Sequence, residues 1–121
     1  MGNETAAPQA GIRADAGVVT LINVFTVDPA NQRQLVERWQ EATEGVMRHQ
    51  PGFVSATIHR SYDGAKVINY AQWESRERFA AMFQDPAVGA QLAQLAEIGR
   101  PDPILCEVVS VHTPPEHERL S

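Results

Sequence analysis

From Val18 to Val27 the chain reads VVTLINVFTV, a β-branched run in which Leu21, Asn23, Phe25 and Val27 share one side. The period then changes from two to three or four. Asp28-Pro29 supplies a helix cap followed by proline at the first helical position. Leu35, Val36, Trp39, Ala42 and Val46 then recur as the apolar stripe of a helix that ends at HQPG. FVSATIHRS predicts a second strand, YDGA a hairpin turn on Asp63-Gly64, and KVINYAQW a third strand. Ser75 caps a second helix with Phe79, Met82 and Phe83 on its apolar face. Asp85-Pro86 breaks or kinks this helix before it continues to about Gly99. RPDP is a stop, ILCEVVSVH predicts the fourth strand, and TPPEHERLS is a polar tail.

The order strand–helix–strand, strand–helix–strand with a tight central hairpin predicts an α+β, ferredoxin-like βαββαβ unit. It has a four-stranded antiparallel sheet with two helices on one face. Helices cover only one face of such a sheet. The other carries either Leu21, Phe25, Val27 and Trp73 or their alternates, and neither set is polar enough to stand in water. A second copy stacked sheet on sheet, giving a homodimer, is the expected solution.

Composition narrows the function. The chain has 121 residues, enough for one domain, and 43 % are hydrophobic, enough for one core. A net charge of -5 argues against nucleic acid or an anionic membrane as partner. Cys106 is the single cysteine, so no intrachain disulfide forms, and the four histidines lack ligand spacing. Residues 1–16, rich in Ala, Gly, Pro and polar types, read as a disordered arm without the apolar segment of a secretory signal. No apolar run is long enough to span a membrane, and a cytoplasmic location is the default expectation.

The third strand poses a chemical question. Counting by twos puts Val67, Asn69, Ala71 and Trp73 on one face. A buried amide without a partner costs about 1–3 kcal/mol, so either the protein itself or a ligand must bond Asn69. Asn69 and Trp73 stand roughly 13 Å apart along the strand, a span that would bracket a ligand of several fused rings.

Three features carry a resemblance: TLINVFTV with its interior asparagine, HQPGF leading into the second strand, and NYAQWES leading into RFAAMFQDP. Over residues 17–113 the chain resembles the antibiotic biosynthesis monooxygenase domain of the dimeric α/β-barrel proteins. This leaves the arm at 1–16 and a tail at 114–121 outside. It is most similar to the cofactor-independent members that oxidise anthrone-type aromatic polyketides to quinones. The resemblance implies no cofactor, O2 as co-substrate, a small-molecule polyketide partner and a homodimer. It implies catalytic roles for Asn69 and Trp73, a pocket role for Asn23, and a pocket histidine at His59. Phe79 stands where other members place a polar tyrosine or arginine.

Beside that resemblance the plainer readings stay open. Asn23 and Asn69, on strands expected to be neighbours, either face one cavity or satisfy each other. Trp73 is either packing or an indole N–H donor. His59 is either a rim residue or the general base. Trp39 is read as core. The expected apolar walls are Leu21, Phe25, Phe53, Ala71, Phe79, Met82 and Phe83. In the mechanism the resemblance implies, an enolate held by amide donors passes an electron to O2, and the resulting peroxide, held or protonated by Trp73, loses water. Two rivals use the same fold: haem degradation, which needs a histidine where residues 74–100 have none, and polyketide cyclisation without O2. Non-catalytic small-molecule binding is the third alternative.

Overall fold

The computed structural model describes residues 17–115; the arm at 1–16, the tail from 116 and His117 lie outside the described residues. Strand β1 (Val19–Thr26) leads through a short 3-10 turn into helix α1 (Gln32–Gly45). Strands β2 (Phe53–Arg60) and β3 (Lys66–Trp73) form the hairpin. Helices α2 (Arg76–Ala81) and α3 (Pro86–Ile98) follow, and β4 (Pro103–Cys106) closes the sequence of elements. The sheet is antiparallel in the order β2-β3-β1-β4, the ferredoxin-like arrangement, and it stays open along its two edges.

The caps act as the sequence implies. Asp28 Oδ1 accepts from Ala30 N at 2.9 Å, and Ser75 Oγ accepts from Arg78 N at 3.0 Å. The break at Asp85 is real. Its carboxylate caps α3 by accepting from Ala87 N at 2.9 Å and from Gln50 Nε2 at 3.0 Å. The Gln50 bond, then the Ala87 N–H, hold that carboxyl below its ordinary pKa. Gly64 takes φ of +84° in the hairpin turn, where a side chain would be strained.

The fourth strand is shorter than its apolar run predicts. It pairs Thr20 with Cys106 and Asn23 with Pro103. Continuing that register would set Val108 beside Val18 and Val109 beside Gly17, where β1 has already ended and φ is +89°. The partner strand runs out, so residues 107–113 leave the sheet without strand structure.

Helices α1 and α3 pack on the face bearing Leu21, Phe25, Val67 and Trp73, so this set is the covered one. The apolar core on that face comes in two parts. One joins Phe25, Val27, Leu35, Trp39, Val67 and Leu95; the other joins Val19, Met47, Trp73, Met82 and Val88. Between them lie Asn23, Asn69 and Ala71, two amides and a methyl that cannot fill the space larger apolar side chains would fill. The opposite face carries Ile22, Val24, Ile68, Tyr70 and Ile104 among polar residues such as Thr20, Thr57 and Gln72. No helix among the described residues is long and apolar enough to cross a membrane.

Candidate active site

Register brings the two asparagines together: Asn23 and Asn69 are direct partners across β1 and β3. Both point to the helix-covered side and both are buried. They do not, however, border the same space. Asn23 lines an outer cavity of about 440 Å³, walled by Leu21, Phe25, Phe79, Met82, Phe83 and Leu92. Asn69 lines an inner hollow of about 30 Å³ with Trp39, Phe53, Ala71 and Trp73. Met82 and Leu92 belong to both linings, where the two spaces meet.

The outer cavity is shaped by the chain after α3. Gly99 lies so close to β1 that a Cβ there would come within 3.1 Å of the Thr26 carbonyl oxygen. That approach lets Arg100 exchange backbone bonds with Thr26 at 2.8 and 2.9 Å. Asp102 N then donates to Asn23 Oδ1 at 3.2 Å, and Pro101 and Pro103 join the cavity wall. Asn23 thus has its carbonyl end fixed by the backbone. Phe83, 49 % exposed, and Leu105, 44 % exposed, border the open side.

The inner hollow has a different character. A bulge in β2 between Phe53 and Ser55 sets Phe53 opposite Trp73 and Ala56 opposite Ala71, so Phe53 and Ala56 both line it. Trp73 is clamped edge-on by Phe53 at 5.5 Å and Phe79 at 5.9 Å between ring centroids. Three buried polar atoms of its lining side chains have no hydrogen-bond partner among the described residues: Asn69 Oδ1, Trp73 Nε1 and Trp39 Nε1. The sequence marked the first two. Trp39 belongs to the core as its helical spacing predicts, yet it also lines this hollow and its N–H is unpaired among the described residues. Spacing shows that a tryptophan is buried; it does not show whether its nitrogen finds an acceptor.

All seven expected wall residues take part, divided between the compartments. Leu21, Phe25, Phe79 and Phe83 line the outer cavity, Phe53 and Ala71 the inner one, and Met82 both. Two expectations change. Asn69 and Trp73 share a small hollow, and the space of fused-ring size is the outer cavity that Asn23 lines. His59 does not join the site. It pairs with Ile68, one residue out of phase with Asn69, so it falls on the opposite face and is exposed. No titratable side chain lines either cavity, and no three His, Cys, Asp or Glu side chains among the described residues gather as a metal site would require.

Comparison with known proteins bears on the family and the fold. Tetracenomycin-F1 monooxygenase of Streptomyces glaucescens is 46 % identical over 99 residues, covering 82 % of this chain and 88 % of that protein. The monooxygenase ActVA-Orf6 of Streptomyces coelicolor, solved with nanaomycin D bound, superposes with a TM-score of 0.69 at 38 % identity over 82 % of this chain and 93 % of that one. SnoaB of Streptomyces nogalater, described as a cofactor-independent oxygenase, superposes with a TM-score of 0.64 at 27 % identity, covering 84 % and 100 %. The sequence model of antibiotic biosynthesis monooxygenases matches residues 18–94. With more than half its length in that match and the fold and pocket in place, the chain belongs to the antibiotic biosynthesis monooxygenase family.

Proposed function

We propose that this protein is a cofactor-independent monooxygenase that oxidises an anthrone-type aromatic polyketide to a quinone with O2. The observation that carries the reading is the paired compartment. A cavity of about 440 Å³ is in the size range of small-molecule sites and is walled by phenylalanine, leucine, methionine and proline. Beside it lies a hollow three of whose lining side chains carry a buried polar atom without a partner among the described residues. The names of the relatives support the substrate class, and the description of SnoaB supports the absence of a cofactor.

The substrate itself supplies the electrons. An anthrone methylene is acidified by the ring carbonyl, and its loss of a proton gives an enolate whose oxygen bears the charge. The Asn23 amide nitrogen, on a side chain held by Asp102 N, donates to that oxygen from the cavity wall. Such a preorganised dipole stabilises developing charge at little reorganisation cost, and loss of one donor of this kind costs about 3–4 kcal/mol. With no titratable lining residue, the first proton leaves to water or to an ionised phenol of the substrate. The apolar walls exclude bulk water from the radical and peroxide stages.

The protein works as a homodimer on this reading. Ile22, Val24, Ile68, Tyr70 and Ile104 form an uncovered apolar face, and Ile104 is 49 % exposed. Residues 107–112 line a groove with Thr20, Ile22 and Tyr70, and carry the exposed Val109 and Val111. A second copy buries both features; sedimentation at the mass of one chain would rule this out.

Oxygen uptake by metal-free protein with a model anthrone such as dithranol tests the activity. One O2 consumed per quinone formed is expected. Ring closure of a poly-β-ketone under nitrogen, without oxygen uptake on any anthrone, would make the protein a cyclase instead.

A further inference from the structure

Trp39 is a costly residue to place where it is. It is 3 % exposed, packed edge-on against Phe25 at 5.6 Å and 89°, and its Nε1 has no partner among the described residues. A phenylalanine would fill the same core without burying an unbonded N–H. The hollow it lines with Trp73 and Asn69, about 30 Å³, is small beside the outer cavity and has room for a water-sized group. A diatomic group is of that size.

The complement of bonds is specific. Two indole nitrogens offer donors only, and one amide oxygen is an acceptor. A hydroperoxide has the converse set: two oxygens that accept and one O–H that donates. We infer that the inner hollow is the subsite for the oxygen end of the reaction, and that Trp39 is a catalytic residue in it, sharing with Trp73 the binding of a substrate peroxide.

This rests on the monooxygenase reading above, with the rings in the outer cavity and the new C–O–O group passing between Met82 and Leu92. The enolate gives one electron to O2, and the two radicals combine in a C–O bond. The peroxide anion takes a proton and donates its O–H to Asn69 Oδ1, while the indoles hold its oxygens. The O–O bond then breaks, the carbon's remaining hydrogen leaves as a proton, and the departing hydroxide combines with it as water. One oxygen stays as the quinone carbonyl. The methylene carbon has lost four electrons and O2 has gained them. The indoles keep their protons throughout and act as hydrogen-bond donors.

Trp39 and Trp73 are the only two tryptophans, so the indole N–H region of a proton–nitrogen NMR spectrum holds two resonances. Molecular oxygen is paramagnetic and broadens what it approaches. In wild-type protein under raised oxygen pressure, against nitrogen, both indole resonances should broaden more than the backbone amides of the buried core. No broadening at Trp39, as when a fixed water fills the hollow, overturns the inference. With dithranol as substrate, Trp39→Phe should lower kcat/KM for O2 by about ten- to a hundredfold, while substrate affinity under nitrogen is unchanged. An oxygen dependence equal to wild type also overturns it. Wild-type protein that takes up no oxygen with anthrones overturns the functional reading instead, and the relaxation experiment, which needs no substrate, still decides the hollow.

Discussion

Asn23 and Asn69 are the same residue type, directly opposed on adjacent strands, on one face, at almost equal burial. Their environments nevertheless diverge. On the β4 side the backbone bends in through Arg100 and Asp102, and Asn23 receives a hydrogen bond from it. On the β2 side the neighbour of Asn69 is Ile58, which offers nothing to its amide oxygen. One amide is thus anchored beside a wide apolar cavity, and the other has its oxygen unpaired beside a narrow hollow. Register sets which residues meet. The elements flanking the pair set what each can do.

The contrast predicts opposite signs for one substitution. Asn69→Leu should cut kcat with an anthrone by about 10²–10³, while removing an unbonded buried amide raises unfolding free energy by about 1 kcal/mol. Asn23→Leu strips Asp102 N of its acceptor and should lower stability by about 1–2 kcal/mol. Urea unfolding of both variants beside oxygen-uptake rates checks this. If both variants shift stability the same way, the two amides are equivalent and the distinction fails.

The meeting of the two spaces is the next point of attack. Met82 is buried and borders both compartments. Met82→Ala should cost about 2–3 kcal/mol, toward the low end for a buried methionine because part of its surface already faces a hollow. Joining the two spaces should also let water reach the peroxide, read as hydrogen peroxide released in place of quinone. A variant that loses stability but keeps full coupling of O2 to quinone would show that the compartments act as one.

These sites differ in how far the sequence disclosed them. The strand and helix order, the caps at Asp28, Ser75 and Asp85, and the pairing of β1 with β3 follow from local pattern, because periodicity and capping are local chemistry. The interruption of apolar faces by Asn23 and Asn69 was equally plain. Their separation into two compartments was not, because it depends on the bulge after Phe53 and on the approach of Gly99 to β1, which no period records. The length of β4 escaped for a similar reason. ILCEVVSVH is apolar enough for nine residues of strand, but its partner ends at Val19. Trp39 shows the limit most directly, since burial is readable from spacing and an unpaired nitrogen is not.

His59 gives the smallest expected effect and a clean separation of the sheet's two faces. It stands exposed, away from both cavities, so His59→Ala should leave kcat and its pH dependence within about twofold of wild type, the scale of an ordinary surface substitution. Since no titratable side chain among the described residues lines either cavity, the rate should rise with pH through the substrate's own ionisation and then level off. Protein stability should not intrude on that profile. Asp63, bonded by the Ser61 hydroxyl, and Asp85, bonded by the Gln50 amide, both have lowered pKa values. A carboxyl lowered on folding stabilises above its unfolded pKa and loses that contribution as pH falls through the folded one, so their effect is confined below about pH 4. A rate whose pH dependence instead disappeared in His59→Ala would return the general base to the protein and to the opposite face of the sheet.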